Sequence, residues 1–383
     1  MIHSTIYDVA VRAGVSVATV SRTFAKPDIV TEATRKKVIE AANELDFAIS
    51  RSATALKSKH TFRIAMLTGE AIATWFDSNL YKGLTEVLQT HGYDVSLYGI
   101  ADTEQRMSFF DELPLRRNVD AVIVASFNVT MEEISNLQGM GVPLIGVNVP
   151  HNEGFNATVS IDNAKSMRMA INHLHALGHR RIAYICIDVS EAPMEYSADS
   201  RLQRFESACA AYEDIEQLTI ALPRNDFTVD EAIARITVMD QPPTALCCLS
   251  DGVALPLLYK LPKAGIGVPN DMSLIGFDDS DYAAEFGLTT IHQDPQALGR
   301  KAAEKALSLI DSATFGIDLG EPFETARTFL AIRNTTAAPP AVVGVVRRGP
   351  IADVRRRNGW PRRWRWRRNA GRRERRRIRR GWG

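Results

Sequence analysis

The sequence predicts three unlike parts: an all-α helix-turn-helix headpiece at residues 1–49, a two-lobed α/β core with parallel sheets at 62–340, and a disordered arginine-rich tail at 341–383. A short hinge helix and linker, 50–61, joins the first two. Three observations carry this reading. Closely spaced short helices with tight turns fill the N-terminal stretch and show no strand pattern. From Phe62 onward, apolar strand-like runs alternate with helical stretches in two successive series. Charge divides along the same boundaries. The formal charge of +1 is a cancellation: residues 1–61 carry nine Lys or Arg against six Asp or Glu, residues 62–340 carry 20 against 37, and residues 341–383 carry 17 Arg against Asp353 and Glu374. Such asymmetry implies different partners for each part.

Composition excludes several classes. The 383 residues are 45% hydrophobic and 24% charged, ordinary for globular domains. No apolar run approaches the roughly 18–20 residues that cross a bilayer, and Met1–Val20 lacks the apolar stretch of a signal peptide. A cytoplasmic chain without membrane contact is the expectation. Cys186, Cys209, Cys247 and Cys248 have no metal-ligand spacing and read as buried reduced thiols. His173, His175 and His179 cluster at the end of a helix, where an electrostatic role at its C-terminus is the simplest reading. Thr68-Gly69-Glu70-Ala71 after the first strand is no dinucleotide fingerprint, and no P-loop, nucleophile elbow or zinc-protease motif occurs. The chain is expected to be no enzyme and to hold no metal or cofactor.

In the headpiece, Thr5-Ile6-Tyr7-Asp8 has capping-box spacing and opens a helix over 6–13 with Ile6, Val9 and Ala10 inward. Gly14 supplies the turn. Ser16 caps a second helix, Val17 to Phe24, with Val20 and Phe24 on one face. A third follows Thr31 over 32–45, with Val38, Ala41, Ala42 and Leu45 at helical spacing. The second helix opens on small and hydroxyl side chains: Ser16, Val17, Ala18, Thr19 and Ser21. That surface can approach base edges in a major groove, Thr19 and Ser21 can bond phosphates, and Arg22 can reach a guanine. From pattern alone, a helical bundle with solvated polar faces is the alternative.

In the core, strands are expected at Ile64–Leu67, Val95–Tyr98, Ala121–Val124 and Leu144–Val147, with helices near 78–91, 104–115 and 130–138. The second series places strands at Ile182–Cys186, Ala245–Leu249 and Ser273–Phe277, with helices near 163–177, 200–212, 229–238 and 251–261. Two such series make two lobes, with ligand bound at the carboxyl ends of the strands in the cleft between them.

The run Ile6-Tyr7-Asp8-Val9-Ala10-x-x-Ala13-Gly14-Val15-Ser16-x-x-Thr19-Val20-Ser21-Arg22 resembles the headpiece of the LacI/GalR family of bacterial transcriptional regulators. The likeness continues through His173-Leu174-x-x-Leu177-Gly178-His179, Val268-Pro269-Asn270-Asp271 to Asp278-Asp279, Leu288-Thr289-Thr290-Ile291-x-Gln293 and Arg333-Asn334-Thr335-Thr336-Ala337. It implies a periplasmic-binding-protein-like core, a homodimer on a palindromic double-stranded DNA operator, and a small-molecule effector, most simply a sugar. By resemblance Val17, Ala18 and Arg22 read bases, with Thr5, Tyr7, Ser16, Thr19 and Ser21 in the same interface. Ser50–Ser58 resembles the hinge helix, with Arg51 and Ala53 on DNA and Leu56 as a minor-groove wedge. Ala48-Ile49-Ser50 stands where a Pro-Asn pair is common in the family.

For the effector, the resemblance points to Trp75, Phe76, Asn148, Arg201, Ser250, Asp278 and Gln293. Arg201 presents a fork of donors, Asp278 accepts from hydroxyls, and Trp75-Phe76 can stack on a pyranose or base. Asp278 as a turn cap and Trp75 as core are the structural alternatives. Arg204 replaces a family glycine, and Ser250-Asp251 replaces Asn-Asp. A solute-binding protein would share the core, but the headpiece argues against it. In the tail, Arg, Gly and Trp supply 27 of 43 residues. Phosphate binding and base stacking could suit such a segment, but its GC-rich codons favour out-of-frame translation, and either way it should be disordered.

Overall fold

A computed structural model describes residues 4–25, 29–47, 60–69, 74–100, 103–116, 118–139, 141–188, 195–223 and 228–341. The expected hinge helix, with Arg51, Ala53 and Leu56, and the tail beyond 341 lie outside these residues.

Three helices form the headpiece: α1 (Ile6–Ala13), α2 (Val17–Ala25) and α3 (Glu32–Glu44). The capping box is present: Thr5 N donates to Asp8 Oδ2 at 2.7 Å, and Asp8 N donates to Thr5 Oγ1 at 3.4 Å. These bonds hold the exposed Asp8 carboxyl below its ordinary value. Gly14 closes α1 in the left-handed conformation at φ 64°. Ser16 Oγ accepts from Thr19 N at 3.1 Å, capping α2 as expected. Val9, Ala10, Val20, Val38, Ala41 and Ala42 form one small core, with Ile6 and Leu45 half-buried against it. Phe24 departs from the expectation. It is 39% exposed, and the buried neighbour of Val20 is Thr23. The Thr23 hydroxyl donates to Thr19 O at 2.9 Å, which lets a polar side chain turn inward where the aromatic was expected.

The first lobe begins with β1 (Arg63–Thr68), α4 (Trp75–Leu88), β2 (Asp94–Gly99), α5 (Thr103–Arg116), β3 (Ala121–Ala125), α6 (Met131–Gln138), β4 (Leu144–Val147) and β5 (Ala157–Ile161). The second contains α7 (Asn163–Ala176), β6 (Arg181–Ile187), α8 (Ser200–Cys209), β7 (Glu216–Leu222), α9 (Val229–Thr237), β8 (Ala245–Cys248), α10 (Asp251–Lys260), β9 (Ser273–Asp278) and β10 (Thr289–His292). Then α11 (Pro295–Phe315) returns to the first lobe, and β11 (Phe323–Ala326) and β12 (Phe329–Ala331) finish one sheet each. The sheet orders are β11-β5-β4-β3-β1-β2 and β12-β10-β9-β8-β6-β7. Every pairing is parallel except β10 with β12. The parallel two-lobed expectation holds, and β1, β3, β4, β8 and β9 are mostly apolar and buried along their length, Arg63 excepted, because helices cover both faces.

The chain therefore passes between the lobes three times, at Asp162, near Gln293 and at Arg327–Thr328. The return of α11 fixes it on α4 with backbones in contact. A Cβ on Gly83 would lie 2.0 Å from Gln296 O, and one on Gly299 would lie 2.3 Å from Leu80 O. Only glycines allow that approach.

All four cysteines are buried and free, as expected. His179 has a structural role, but through hydrogen bonds and not through charge at the helix end. It is buried, its Nδ1 lies 2.8 Å from Thr244 Oγ1, and its Nε2 lies 2.8 Å from Ala337 O. Burial lowers its pKa, so the ring is neutral and ties the C-terminal segment to the second sheet. No helix among the described residues is long and apolar enough to cross a membrane.

Candidate DNA-reading face and ligand cleft

In the headpiece, burial of Val9, Val20 and Val38 turns the opposite face of α2 outward. Ser16, Ala18 and Arg22 are exposed, and Val17, Thr19 and Ser21 are half-buried. Tyr7 is 68% exposed, and Thr5 lies on the surface as the cap of α1. The Ser16 and Thr19 hydroxyls lie 2.9 Å apart at the N-terminus of α2. Helix N-termini offer unpaired N–H groups to a phosphate, and the short side chains do not block a groove.

The cleft cluster forms at the carboxyl ends of β4 and β9 and at the second crossing. Asn148 follows β4 with φ 48°, and its Oδ1 accepts from Ile161 N at 2.9 Å. Its Nδ2 donates to Gln293 Oε1 at 3.3 Å, and Gln293 Nε2 donates to Asp278 Oδ1 at 2.7 Å. An amide chain therefore joins the first lobe to the acid of the second. Arg201, on α8, lies with its guanidinium 3.6 Å from the Phe277 ring centroid and donates to Leu249 O at 2.8 Å. Asn148, Arg201, Asp278 and Gln293 are all at most 8% exposed.

Burial raises the Asp278 pKa to about 7, against the attraction of Arg201 and with repulsion from Asp251. Asp251 is fully buried, and burial raises its pKa too. It accepts from Ser280 N, Ser280 Oγ and Thr290 Oγ1 at 2.7–3.0 Å, so protein groups satisfy it. Arg201 is thus the buried cation of a site holding two acids, a balance suited to a neutral ligand rich in hydroxyls.

The remaining candidates sit further out. Trp75 Nε1 donates to Asp281 Oδ1 at 3.1 Å, linking the start of α4 to the loop after β9. Phe76 is half-buried against the main core. Ser250 is half-buried at the start of α10, and its side chain makes no cap bond. Arg204 is exposed on α8, so its replacement of a glycine leaves the cleft cluster untouched. Sequence reasoning missed Asn163. Its Oδ1 accepts from Arg201 Nε at 3.2 Å, and its Nδ2 lies 3.4–3.5 Å from Ser197 O, Ser197 Oγ and Ser200 Oγ. In the sequence, Asp162-Asn163 reads only as a helix start. Tyr196 was also missed, because its partners lie in the other lobe.

The family model for bacterial regulatory proteins of the lacI family matches residues 5–50, and the periplasmic binding protein-like domain matches 171–317. The HTH-type transcriptional repressor CytR of Escherichia coli K12 is 32% identical over 349 residues, covering 88% of this chain and 97% of that protein. The chain belongs to the LacI family. Among solved structures of similar fold, the lac repressor dimer bound to operator and the anti-inducer ONPF superposes with a TM-score of 0.73 at 24% identity. That match covers 88% of this chain and 100% of that one. A LacI-family regulator from Enterococcus faecium with bound ribose gives 0.61 at 28% identity, covering 72% and 99%. The two-lobed LacI-family core accounts for the parallel sheets and the three crossings, and its helix-turn-helix accounts for the outward face of α2.

Proposed function

We propose that this LacI-family chain is a ligand-responsive, sequence-specific transcriptional repressor. Two copies bind a palindromic operator, Val17, Ala18 and Arg22 read bases from α2, and Thr5, Tyr7, Ser16, Thr19 and Ser21 fix its register. Arg51, Ala53 and Leu56 act in the hinge. A small carbohydrate binds between the lobes. Arg201 and Asp278 address its hydroxyls, Gln293, Asn148 and Ser250 supply further polar contacts, and Trp75 with Phe76 covers its apolar face. Residues 1–49, 50–61 and 62–340 divide the labour as headpiece, hinge and effector-binding core, and residues 341–383 contribute to neither site. The chain works in the cytoplasm, where its DNA target lies.

The observation that carries this reading is the outward α2 face and the buried Arg201–Asp278–Gln293–Asn148 cluster in one chain. The relative CytR is named a transcriptional repressor, and a ribose-bound family member supports a sugar as ligand. Selection of the full chain on randomised duplexes tests the reading. A palindromic motif should emerge, and Arg22→Ala should lose it while the core still melts normally. Enrichment of no motif at low salt would overturn it.

A further inference from the structure

The segment between β6 and α8 contains a further link between the lobes. Phe127, just past β3 in the first lobe, forms an antiparallel bridge with Tyr196 from the second. Asn128 N donates to Glu195 O at 2.8 Å, and Ser197 N donates to Ser126 O at 2.9 Å. The Tyr196 hydroxyl donates to Gly69 O at 3.1 Å at the end of β1. A Cβ on Gly69 would lie 2.2 Å from Tyr196 Cε1, so the ring packs directly against the glycine backbone. Four residues on from Ser197 stands Arg201. Asn163 holds both: one end of its amide takes the Arg201 Nε hydrogen and the other faces Ser197.

We infer that Glu195–Ser197 is a strap across the cleft that must detach for the lobes to part, and that Asn163 is the positioning residue that couples the strap to Arg201. The inference rests on the proposed ligand site. Its physical logic is a short one. Two backbone bonds and one hydroxyl bond close the first lobe onto the second, in addition to the three covalent crossings. A ligand that draws on Arg201 pulls against Asn163, and through it on the strap. The cleft therefore has an engaged and a released arrangement, and a ligand shifts the balance only through its different affinity for the two.

Neither DNA nor ligand is needed for the test, so its failure is separable from failure of the repressor reading. Trp75 is the sole tryptophan before residue 341, since the chain has five and Trp360, Trp364, Trp366 and Trp382 lie in the tail. In the full chain with those four changed to Phe, Trp75 reports on the lobe junction through its bond to Asp281. Tyr196→Phe removes one hydroxyl bond and should raise amide exchange at Asn128 and Ser197 by about two- to tenfold. Acrylamide quenching of Trp75 should rise with it. Asn163→Asp keeps the acceptor for Arg201, loses the donor to the strap, and should raise both readouts in the same direction.

A disulfide gives the opposite arm. Phe127 and Tyr196 are directly opposed and do not bond each other's backbones, a pairing whose Cα atoms approach to about 4.5 Å. That spacing suits a disulfide. Oxidised Phe127→Cys/Tyr196→Cys should reduce Trp75 quenching below its reduced form. If Tyr196→Phe and Asn163→Asp loosen Asn128 and Ser197 while Trp75 quenching stays unchanged, the segment is a local loop and the strap is refuted.

Discussion

Replacing Asp278 by Asn should stabilise the protein at high pH and do little at low pH. Burial raises the Asp278 pKa to about 7 from an ordinary 3.8. The raised value means that the folded state disfavours the charged form. Below pH 4 the acid is protonated folded and unfolded, and its ionisation costs nothing. Between pH 4 and 7 the unfolded chain ionises first, so stability falls as pH rises. Above 7 the cost is complete. Three pK units correspond to about 4 kcal/mol. In Asp278→Asn the amide oxygen can still accept from Gln293 Nε2, and the pH-dependent cost disappears. Thermal or urea unfolding from pH 4.5 to 8.5 reads the difference between the two proteins. The gap should open in favour of Asp278→Asn across this range by up to a few kcal/mol. A gap that stays constant with pH would refute the reasoning. From the ligand's side the sign reverses. A sugar hydroxyl donating to Asp278 favours the charged form, so ligand affinity should rise with pH through 7.

Other outcomes follow from single contacts. Arg22→Ala should weaken operator binding by about 1–3 kcal/mol and relax preference at one base pair, read by fluorescence anisotropy against operator variants. Gly83→Ala sets a methyl against Gln296 O across the α4–α11 contact and should destabilise the core by about 1–3 kcal/mol in a melt followed by circular dichroism. His179→Ala strips partners from Thr244 Oγ1 and Ala337 O and should cost about 3 kcal/mol. Because burial lowers the His179 pKa below its unfolded value, wild-type stability should fall with acid below about pH 6.5. His179→Gln should flatten that limb of the unfolding profile.

The parts of the fold that were legible in the sequence are those whose physics is local. The Thr5–Asp8 capping box, the Gly14 turn and the apolar runs of β1, β3, β4, β8 and β9 announce themselves within a few residues. The edge strand β7 was missed because only part of it is buried and Glu216 and Gln217 open it on polar residues. β5, β10 and β11 carry Thr, Ser, His or Glu among their few residues and β12 has only three, so none presents the apolar run that marked β3, β4 and β8. The helix α11 itself was also missed, and with it the return to the first lobe. Which sheet a helix covers is not local information, and here it depends on Gly83 and Gly299 allowing close approach across the α4–α11 contact. Phe24 lies outward and Thr23 takes the place beside Val20 because the Thr23 hydroxyl found a carbonyl within its own helix.

At the cleft, Arg201 and Asp278 came from resemblance, and the structure adds that both are buried. Gln293 and Asn148 came from resemblance as well, and the structure joins them to Asp278 in one chain of hydrogen bonds. Asn163 and Tyr196 were invisible because their partners lie 38 and 127 residues away in sequence. The division of charge also gains meaning from the fold. The acidic surplus lies in the two-lobed core, where repulsion keeps it from DNA and leaves contact to the headpiece.

The most direct measurement is a titration of the protein–operator complex, followed by anisotropy, with a panel of sugars and nucleobases. At least one compound should change operator affinity several-fold, and Arg201→Ala should abolish that response while leaving ligand-free operator binding in place. Operator affinity unmoved by every compound the protein binds would contradict a cleft that controls DNA reading.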